Sequence, residues 1–376
     1  MEQQKKAKEG QKQDFPTGIP ECGADALRFG LLAYTVQGRD VNLDIQRVVG
    51  YRQFCNKIWN AVKFALTYIS DFHPTSSTAT GITAMPGVSP RDRAVLHAFN
   101  QCITEVDENM RAYVFGNVTS CLHSFFLYDF CDVYLELSKP VFLDTTPEGA
   151  ACREAAQATL YTILEQYLRL AHPLMPFVTE ELWQRLPNRA GLSAAPSIMI
   201  AGYPMPEASW ANSAAAADMA LIKTVISGGR SLRSDYRIDK KEKIDFYYRC
   251  SDSSVSSVLD KQASDFCTLA KANFLKAEPA EGAPKGCCVK VVSDSVALLV
   301  NLTGVIDIEK EIGRLSKDLE RLNPVVESLQ KKMEAPGYEE KVPEAVRKQS
   351  AEKLQATKQE ISTVERAIED FKAMQV

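Results

Sequence analysis

The sequence contains no run of about eighteen consecutive apolar residues, which excludes a membrane-spanning helix. Its first fifteen residues, Met1-Glu-Gln-Gln-Lys-Lys-Ala-Lys8 onward, are polar and lack the apolar core of a secretory leader. Ten cysteines are present but none forms a Cys-x-x-Cys pair, and Cys287 and Cys288 are merely adjacent. That scatter suits reduced thiols in a cytoplasmic protein and disfavours a disulfide frame or a zinc site. Neither charge dominates: 44 Lys plus Arg stand against 48 Asp plus Glu, a net of −4. Any contact with nucleic acid must therefore be local. No strand is followed by a glycine-rich phosphate loop, and no serine or cysteine nucleophile motif accompanies His172.

What remains is an ordinary globular composition, 45% hydrophobic and 24% charged, over 376 residues. That length suffices for two or three domains with separate cores. Residues 1–17 read as a charged, mobile lead-in. Asp25 to Tyr34 is helix-like, Gln37-Gly-Arg-Asp40 is a turn signal, and Asn42-Leu-Asp44 caps a following helix. The pattern predicts long amphipathic helices at 46–70, 91–112, 116–138 and 148–171 and a shorter one at 177–186, an antiparallel bundle. Residues 188–217, with three prolines, read as a linker holding one short strand at Ile198–Ile200. Residues 218–304 alternate in type. Helices are predicted at Ala220–Leu232 and Val255–Asn273, and strands at Lys243–Arg249, Val289–Val292 and Ala297–Leu302, a small α+β unit.

The tail carries the clearest period. Ile308, Ile312, Leu315, Leu319, Leu322, Val326, Leu329 and Met333 recur in steps of four and three, and the pattern resumes at Leu354, Thr357, Ile361, Val364, Ile368 and Phe371. A seam of this period is buried only against a partner helix, so an antiparallel two-helix coiled-coil arm is expected, kinked at Pro324.

One helix stands out chemically. On Tyr51–Ile69 the residues Tyr51, Cys55, Ile58, Val62, Ala65, Leu66 and Ile69 share an apolar face. The opposite side gathers Arg52, Gln53, Asn56, Lys57, Asn60, Lys63 and Phe64. A ring among amides and cations offers stacking, base-edge hydrogen bonds and phosphate neutralisation to single-stranded RNA. The residues alone equally allow a solvated face whose Phe64 touches a neighbouring helix. Asp25 and Arg28, three apart, can form a local ion pair. Arg230-Ser-Leu-Arg-Ser-Asp-Tyr-Arg237 can touch phosphate or cover a solvated helix end.

Four segments carry a resemblance. They are Gly18-Ile-Pro-Glu-Cys-Gly-Ala-Asp-Ala-Leu-Arg-Phe-Gly30, Tyr51-Arg-Gln-Phe-Cys-Asn-Lys-Ile-Trp-Asn-Ala-Val-Lys-Phe64, Asp129-Phe-Cys-Asp-Val-Tyr-Leu-Glu-Leu-Ser-Lys139 and His172-Pro-Leu-Met-Pro-Phe-Val-Thr-Glu-Glu-Leu-Trp183. They resemble class I aminoacyl-tRNA synthetases, and the valyl-tRNA synthetases most closely, over about residues 14–376. The first two look like the junction between catalytic and anticodon-binding domains in that family.

The resemblance implies a mainly α fold. Residues 1–45 would be lead-in and junction, 46–205 the helical anticodon-binding domain with its linker, 206–304 the α+β domain, and 305–376 the tRNA-binding arm. It implies tRNA-Val as partner, contacted by Arg28, Arg52, Asn56, Lys57, Asn60, Lys63 and Phe64. Phe64→Ala is then expected to weaken tRNA binding without unfolding the bundle. His172 is expected to be a turn residue.

From Ile306 to Val376 there are 13 Lys plus Arg and 15 Asp plus Glu, a net of −2, so arm contact would rest on a tip cluster of Lys331, Lys332, Lys341, Arg347 and Lys348. A monomer in the cytoplasm is expected, with multi-protein translation complexes as a further setting. The family's activity, attachment of valine to tRNA with ATP and Mg²⁺, depends on the signatures His-Ile-Gly-His and Lys-Met-Ser-Lys-Ser. Neither occurs here, nor does an editing domain. The chain is thus expected to be a C-terminal portion whose catalytic half lies upstream of Met1, inactive alone and without a cofactor or metal of its own. The isoleucyl enzyme is the nearest alternative, but the arm is present and a C-terminal zinc-type cysteine cluster is absent. A free-standing tRNA-binding protein and a coiled-coil scaffold protein are the readings outside the enzyme class.

Overall fold

The computed structural model describes residues 2–35, 43–75, 78–187, 195–239, 241–279, 281–282, 287–302 and 308–333, with isolated positions between 347 and 372. It divides into two compact units, Met1–Ala220 and Leu221–Val376. The first contains α1 (Glu2–Asp14), α2 (Ala24–Ala33), α3 (Ile45–Ile69), α4 (Thr78–Gly81), α5 (Pro90–Arg111) and α6 (Phe115–Ser124). A π-helical stretch, Phe125–Leu135, leads into α7 (Glu136–Leu143), followed by α8 (Ala150–Ala171), α9 (Pro176–Gln184) and the start of α10 (Ser213–Asp235).

Local chemistry sets the helix starts. The Asp44 carboxylate accepts from the Gln46 amide at 2.9 Å and caps α3. Ser89 and Asp92 form a reciprocal capping box on α5, with Pro90 in its first turn. Helix α8 is buried at almost every position from Ala155 to Ala171, including the polar Thr159, Thr162 and Glu165, and forms the axis against which α3, α5, α7 and α9 pack. The buried carboxylates Asp92 and Glu165 inside this unit are paired. Asp92 accepts from the Tyr134 hydroxyl at 2.9 Å and from the Ser89 amide at 2.9 Å. Glu165 accepts from the Trp183 indole at 2.9 Å and from Arg169 at 2.6 Å.

Three expectations are corrected in this unit. The lead-in is helical over Glu2–Asp14, because its Glu, Gln, Lys and Ala residues are good helix formers with no β-branched residue among them. The helix expected at 116–138 passes through eleven π-helical residues. There Phe125, Phe126, Phe130 and Tyr134 all turn inward and stack on one another, which a uniform α-helical twist would not allow. Ile198–Ile200 is a 3₁₀ turn rather than a strand: Ser197 accepts from the Met199 amide, and only Ile198 of the three is buried.

The second unit holds the rest of α10, β1 (Ile244–Cys250), α11 (Ser253–Lys261), α12 (Ala263–Ala270), β2 (Ala272–Ala277), β3 (Cys287–Val291), β4 (Val296–Asn301) and α13 (Ile308–Met333). The sheet order is β2-β1-β4-β3, with β1 and β2 parallel and the other pairs antiparallel. Helices α11 and α12 form the crossover that a parallel pair requires. The single helix expected at 255–273 therefore splits. It breaks at Gln262, ends at Lys271 in the left-handed region, and gives way to the unforeseen β2. Helix α10 approaches this layer closely through glycine: a Cβ at Gly228 would lie 2.7 Å from Val292 Cγ2.

Pro324 lies inside α13, which runs on to Met333, so the proline does not end the helix. Among the described seam positions, Leu322, Thr357 and Ile368 are buried and Ile312, Leu319, Val326, Leu329, Met333, Leu354 and Ile361 are half-buried, while Lys317, Glu320, Arg321, Glu327 and Lys358 are exposed. Val364 and Phe371 lie outside the described residues, as does the expected turn at 37–40.

The Tyr134 hydroxyl also reaches the Ala156 carbonyl, 3.3 Å away in the buried core. Tyr134→Phe strips a donor from buried Asp92 and should destabilise the first unit by about 1–3 kcal/mol, read as a lower urea midpoint. An unchanged midpoint would show that Asp92 is satisfied by Ser89 alone.

Candidate nucleic-acid interface

The segment Gly18–Gly30 acts through α2. Asp25, buried on that helix, sends both carboxylate oxygens to the N-terminus of α9, accepting from the Phe177 amide at 3.2 Å and the Val178 amide at 2.7 Å. An acid about 150 positions away thus caps a helix whose own preceding residue, Met175, supplies no side-chain cap. Arg28 completes the clamp by donating to the carbonyls of Pro173 at 3.0 Å and Leu174 at 3.3 Å. The local Asp25–Arg28 ion pair is therefore not what forms: each residue binds the turn before α9. Arg28, exposed on α2, is held in a structural contact by these two bonds. Phe29 is fully buried, and Gly30 lets the Tyr51 ring approach, since a Cβ there would sit 3.3 Å from Tyr51 Cδ2.

His172 belongs to the same turn. Its Nδ1 lies 2.7 Å from the Thr179 hydroxyl, and burial lowers its pKa against the opposing pull of Glu180 and Asp25. This is the turn residue the sequence suggested.

The clamp opens a cleft of about 530 Å³ between α2, α3 and α9. Arg52, Cys55, Asn56 and Trp59 of α3 line one side, Phe177 and Glu181 of α9 another, and Glu21 and Asp25 the third. Burial, and secondarily the Asp25 charge, push the Cys55 thiol up to about 11, so it stays protonated. Two rings border the opening: Trp59 is 37% exposed and Phe177 66% exposed. The Arg185 guanidinium lies 5.3 Å from the Trp59 ring centre.

The structure splits the expected RNA face of α3 into two rows. Arg52, Asn56, Trp59 and Lys63 recur in steps of four, three and four, and all are exposed. Gln53, Lys57, Asn60 and Phe64 form the second row. Lys57 sits 3.7 Å from Asp132, and Asn60 is exposed. Phe64, expected as the surface ring, is half-buried. Its ring meets Tyr68 edge-on at 5.0 Å and lies 5.5 Å from the Lys139 ammonium. The available stacking ring on α3 is therefore Trp59, which sequence reasoning missed although its spacing from Arg52, Asn56 and Lys63 gave the signal. The apolar face also contains Phe54 and Ala61 in addition to the expected residues.

Elsewhere, Lys331 and Lys332 are exposed at the end of α13, and Arg347 is half-buried in a helical position. Lys341 and Lys348 lie outside the described residues. In the basic run 230–237, Arg233 is buried rather than solvated, and its guanidinium donates to the carbonyls of Lys271, Asp239 and Glu242. Among the described residues no group of three or more His, Cys, Asp or Glu is placed to hold a metal.

Two family models match the chain. The one described as the anticodon-binding domain of tRNA ligase covers residues 92–248, and the one described as the valyl tRNA synthetase tRNA binding arm covers residues 307–372. Helix α3 precedes the first match but shares its core through Ile58, Val62 and Ala65. A valine–tRNA ligase of Takifugu rubripes is 42% identical over 373 residues, 98% of this chain and 30% of that protein. That of Homo sapiens is 41% identical over 375 residues, 98% of this chain and 29% of that protein. The mitochondrial valine–tRNA ligase of Saccharomyces cerevisiae is 35% identical over 374 residues, 99% of this chain and 33% of that protein. The chain spans about a third of the length of the curated relatives it matches.

Asp25→Ala should leave two amides of α9 without their acceptor and cost about 1–2 kcal/mol in chemical denaturation. Asp25→Asn, which keeps one acceptor oxygen, should cost less; equal stability of all three proteins would refute the clamp. Burial also lowers the His123 pKa. For a depressed folded-state pKa, stability is complete above the unfolded value of about 6.5 and is lost as pH falls through the folded value. The urea midpoint should therefore drop as pH falls below about 6.5, with a shallower slope in His123→Asn; parallel slopes would contradict this.

Proposed function

The chain belongs to the valine–tRNA ligase family, and from that premise we propose that it is the tRNA-reading C-terminal part of such a ligase. It binds tRNA-Val through the Arg52–Asn56–Trp59–Lys63 row and the cleft beside it. The carrying observation is the placement of two exposed rings, a guanidinium and an amide at one opening held by the Asp25 clamp. Trp59 and Phe177 would stack on unpaired bases, Asn56 would hydrogen-bond a base edge, and Arg52 and Lys63 would neutralise phosphates. Lys57 and Asn60 extend the contact along the second row, and Phe64 supports it from beneath.

In the arm we propose that α13 pairs antiparallel with a second helix. The burial of described seam positions in both halves supports this, as does the match to a tRNA-binding arm. Lys331, Lys332, Lys341, Arg347 and Lys348 would meet phosphate near its tip. The arm match also favours the valine family over the isoleucine one.

Valine activation is proposed to lie outside this chain. The residues present do not fit an ATP–Mg²⁺ site, since neither class I signature occurs in the sequence and no described carboxylate cluster suits a metal. A monomeric, cytoplasmic polypeptide, able to join multi-protein translation complexes, completes the proposal.

In a gel shift with a tRNA-Val transcript, Trp59→Ala should weaken binding by about 1–3 kcal/mol, or roughly fivefold to more than a hundredfold, with an unchanged melting temperature. Phe64→Ala should lower stability as well as binding, because its ring is packed. A transcript with an altered anticodon should bind less tightly than the native one. Equal binding of both transcripts would remove the anticodon reading. Detectable ATP–pyrophosphate exchange by the purified chain would overturn the assignment of catalysis elsewhere.

A further inference from the structure

The second unit carries a concentration of cations that the reading above does not use. The run Arg230–Arg237 closes α10 and the turn after it, and its three arginines do different things. Arg233 is the frame: buried, it donates to the carbonyls of Lys271 at 3.0 Å, Asp239 at 2.6 Å and Glu242 at 2.7 Å. It thereby fixes the loop 239–242 and the α12–β2 junction against α10. The Glu242 and Asp239 charges act on this guanidinium, while Asp235 pairs with Lys290 at 3.0 Å.

Arg230 commits only its Nε, to the Leu269 carbonyl at 2.9 Å, so its two terminal nitrogens make no hydrogen bond among the described residues. Arg237 and Lys271 likewise show no side-chain hydrogen bond or ion pair there. These three cations, with Ser234, Ile238 and Leu269, line one cleft of about 530 Å³.

Backbone strain gathers at the same place. Three described non-glycine residues have positive φ, and two of them are Arg237 at 51° and Lys271 at 56°. The left-handed region costs an ordinary residue about 1–2 kcal/mol, and here it closes two helices: Lys271 caps α12, and after Arg237 the Ile238 amide returns to the Arg233 carbonyl at 2.9 Å. Here it bends two separate segments so that their cationic side chains border one opening.

We propose that this cleft binds a nucleotide. The phosphate would sit between the Arg230 terminal nitrogens, the Arg237 guanidinium and the Lys271 ammonium, where forked and point-charge donors converge. The apolar faces of Leu269 and Ile238 would take the base or sugar, and the volume suits a ligand of that size. The site is independent of α3. Its nucleotide can come from an RNA chain or from the free pool, and the two sources share this chemistry.

The test uses the full chain and two probes, AMP in equilibrium dialysis and a tRNA-Val transcript in filter binding. The variants are Arg230→Gln/Arg237→Gln, Lys271→Gln as a single change in case the double fails to fold, and Lys276→Gln as a charge control away from the cleft. A melting curve verifies each fold. The proposal expects a roughly tenfold loss for the cleft variants with at least one probe and none for Lys276→Gln. Loss with AMP identifies a free nucleotide, and loss with the transcript alone identifies an RNA nucleotide. Unchanged binding of both probes, no binding of either by the wild type, or an equal loss in Lys276→Gln overturns it. Failure of the α3 reading shows differently, as a Trp59→Ala variant with undiminished tRNA affinity.

Discussion

The Asp25 carboxylate at the start of α9 is the contact on which the candidate interface depends. A helix N-terminus exposes amides that need acceptors, and α9 begins after a turn with two prolines that supplies none from its own side chains. Asp25 provides two acceptor oxygens from α2, and Arg28 takes the two carbonyls on the other side of the turn. Four hydrogen bonds thus join segments far apart in sequence and determine where Phe177 stands relative to α3. Without them the cleft has one wall.

The remainder of the first unit keeps α3 rigid. Its inner face is buried against α2, α8 and α9, with Phe54 on Phe29 and Phe126, so the outer rows are presented from a fixed surface. Arg52, Asn56 and Trp59 then act as one patch, with less side-chain and backbone freedom to lose on binding than a loop would carry. The second unit relies on the same device: buried Arg233 stitches carbonyls from three positions and leaves neighbouring cations at the surface. In both units a charged side chain spent on backbone groups positions others.

Much of this was legible in the sequence because it follows from periodicity. Four of the five helices expected between residues 46 and 186 lie within a few residues of their predicted bounds, the one at 116–138 being divided by the π-helical stretch, and the inner face of α3 was correct apart from Phe54 and Ala61. What was not legible depended on tertiary partners. Strand β2 buries only Ala272 and Leu275, too little alternation to stand out from a helical run. The π-helical stretch is imposed by inward stacking of four rings. Asp25 and Arg28 look like an ion pair at i and i+3, and nothing local shows that both reach the turn before α9. Phe64 is half-buried for a similar reason: Lys139 of α7 lies over its ring, a neighbour that α3 alone cannot reveal, whereas Tyr68, four residues on, is within its own helix.

The central claim is that RNA seats on the cleft between α3 and α9. Hydroxyl-radical footprinting of the intact chain, free and bound to a tRNA-Val transcript, tests it most directly because both rings at the opening are solvent-accessible. The account predicts that Trp59 and Phe177 become protected together on binding, while exposed Tyr113, remote in sequence from that helix pair, stays reactive. Protection elsewhere with Trp59 and Phe177 unchanged would contradict it.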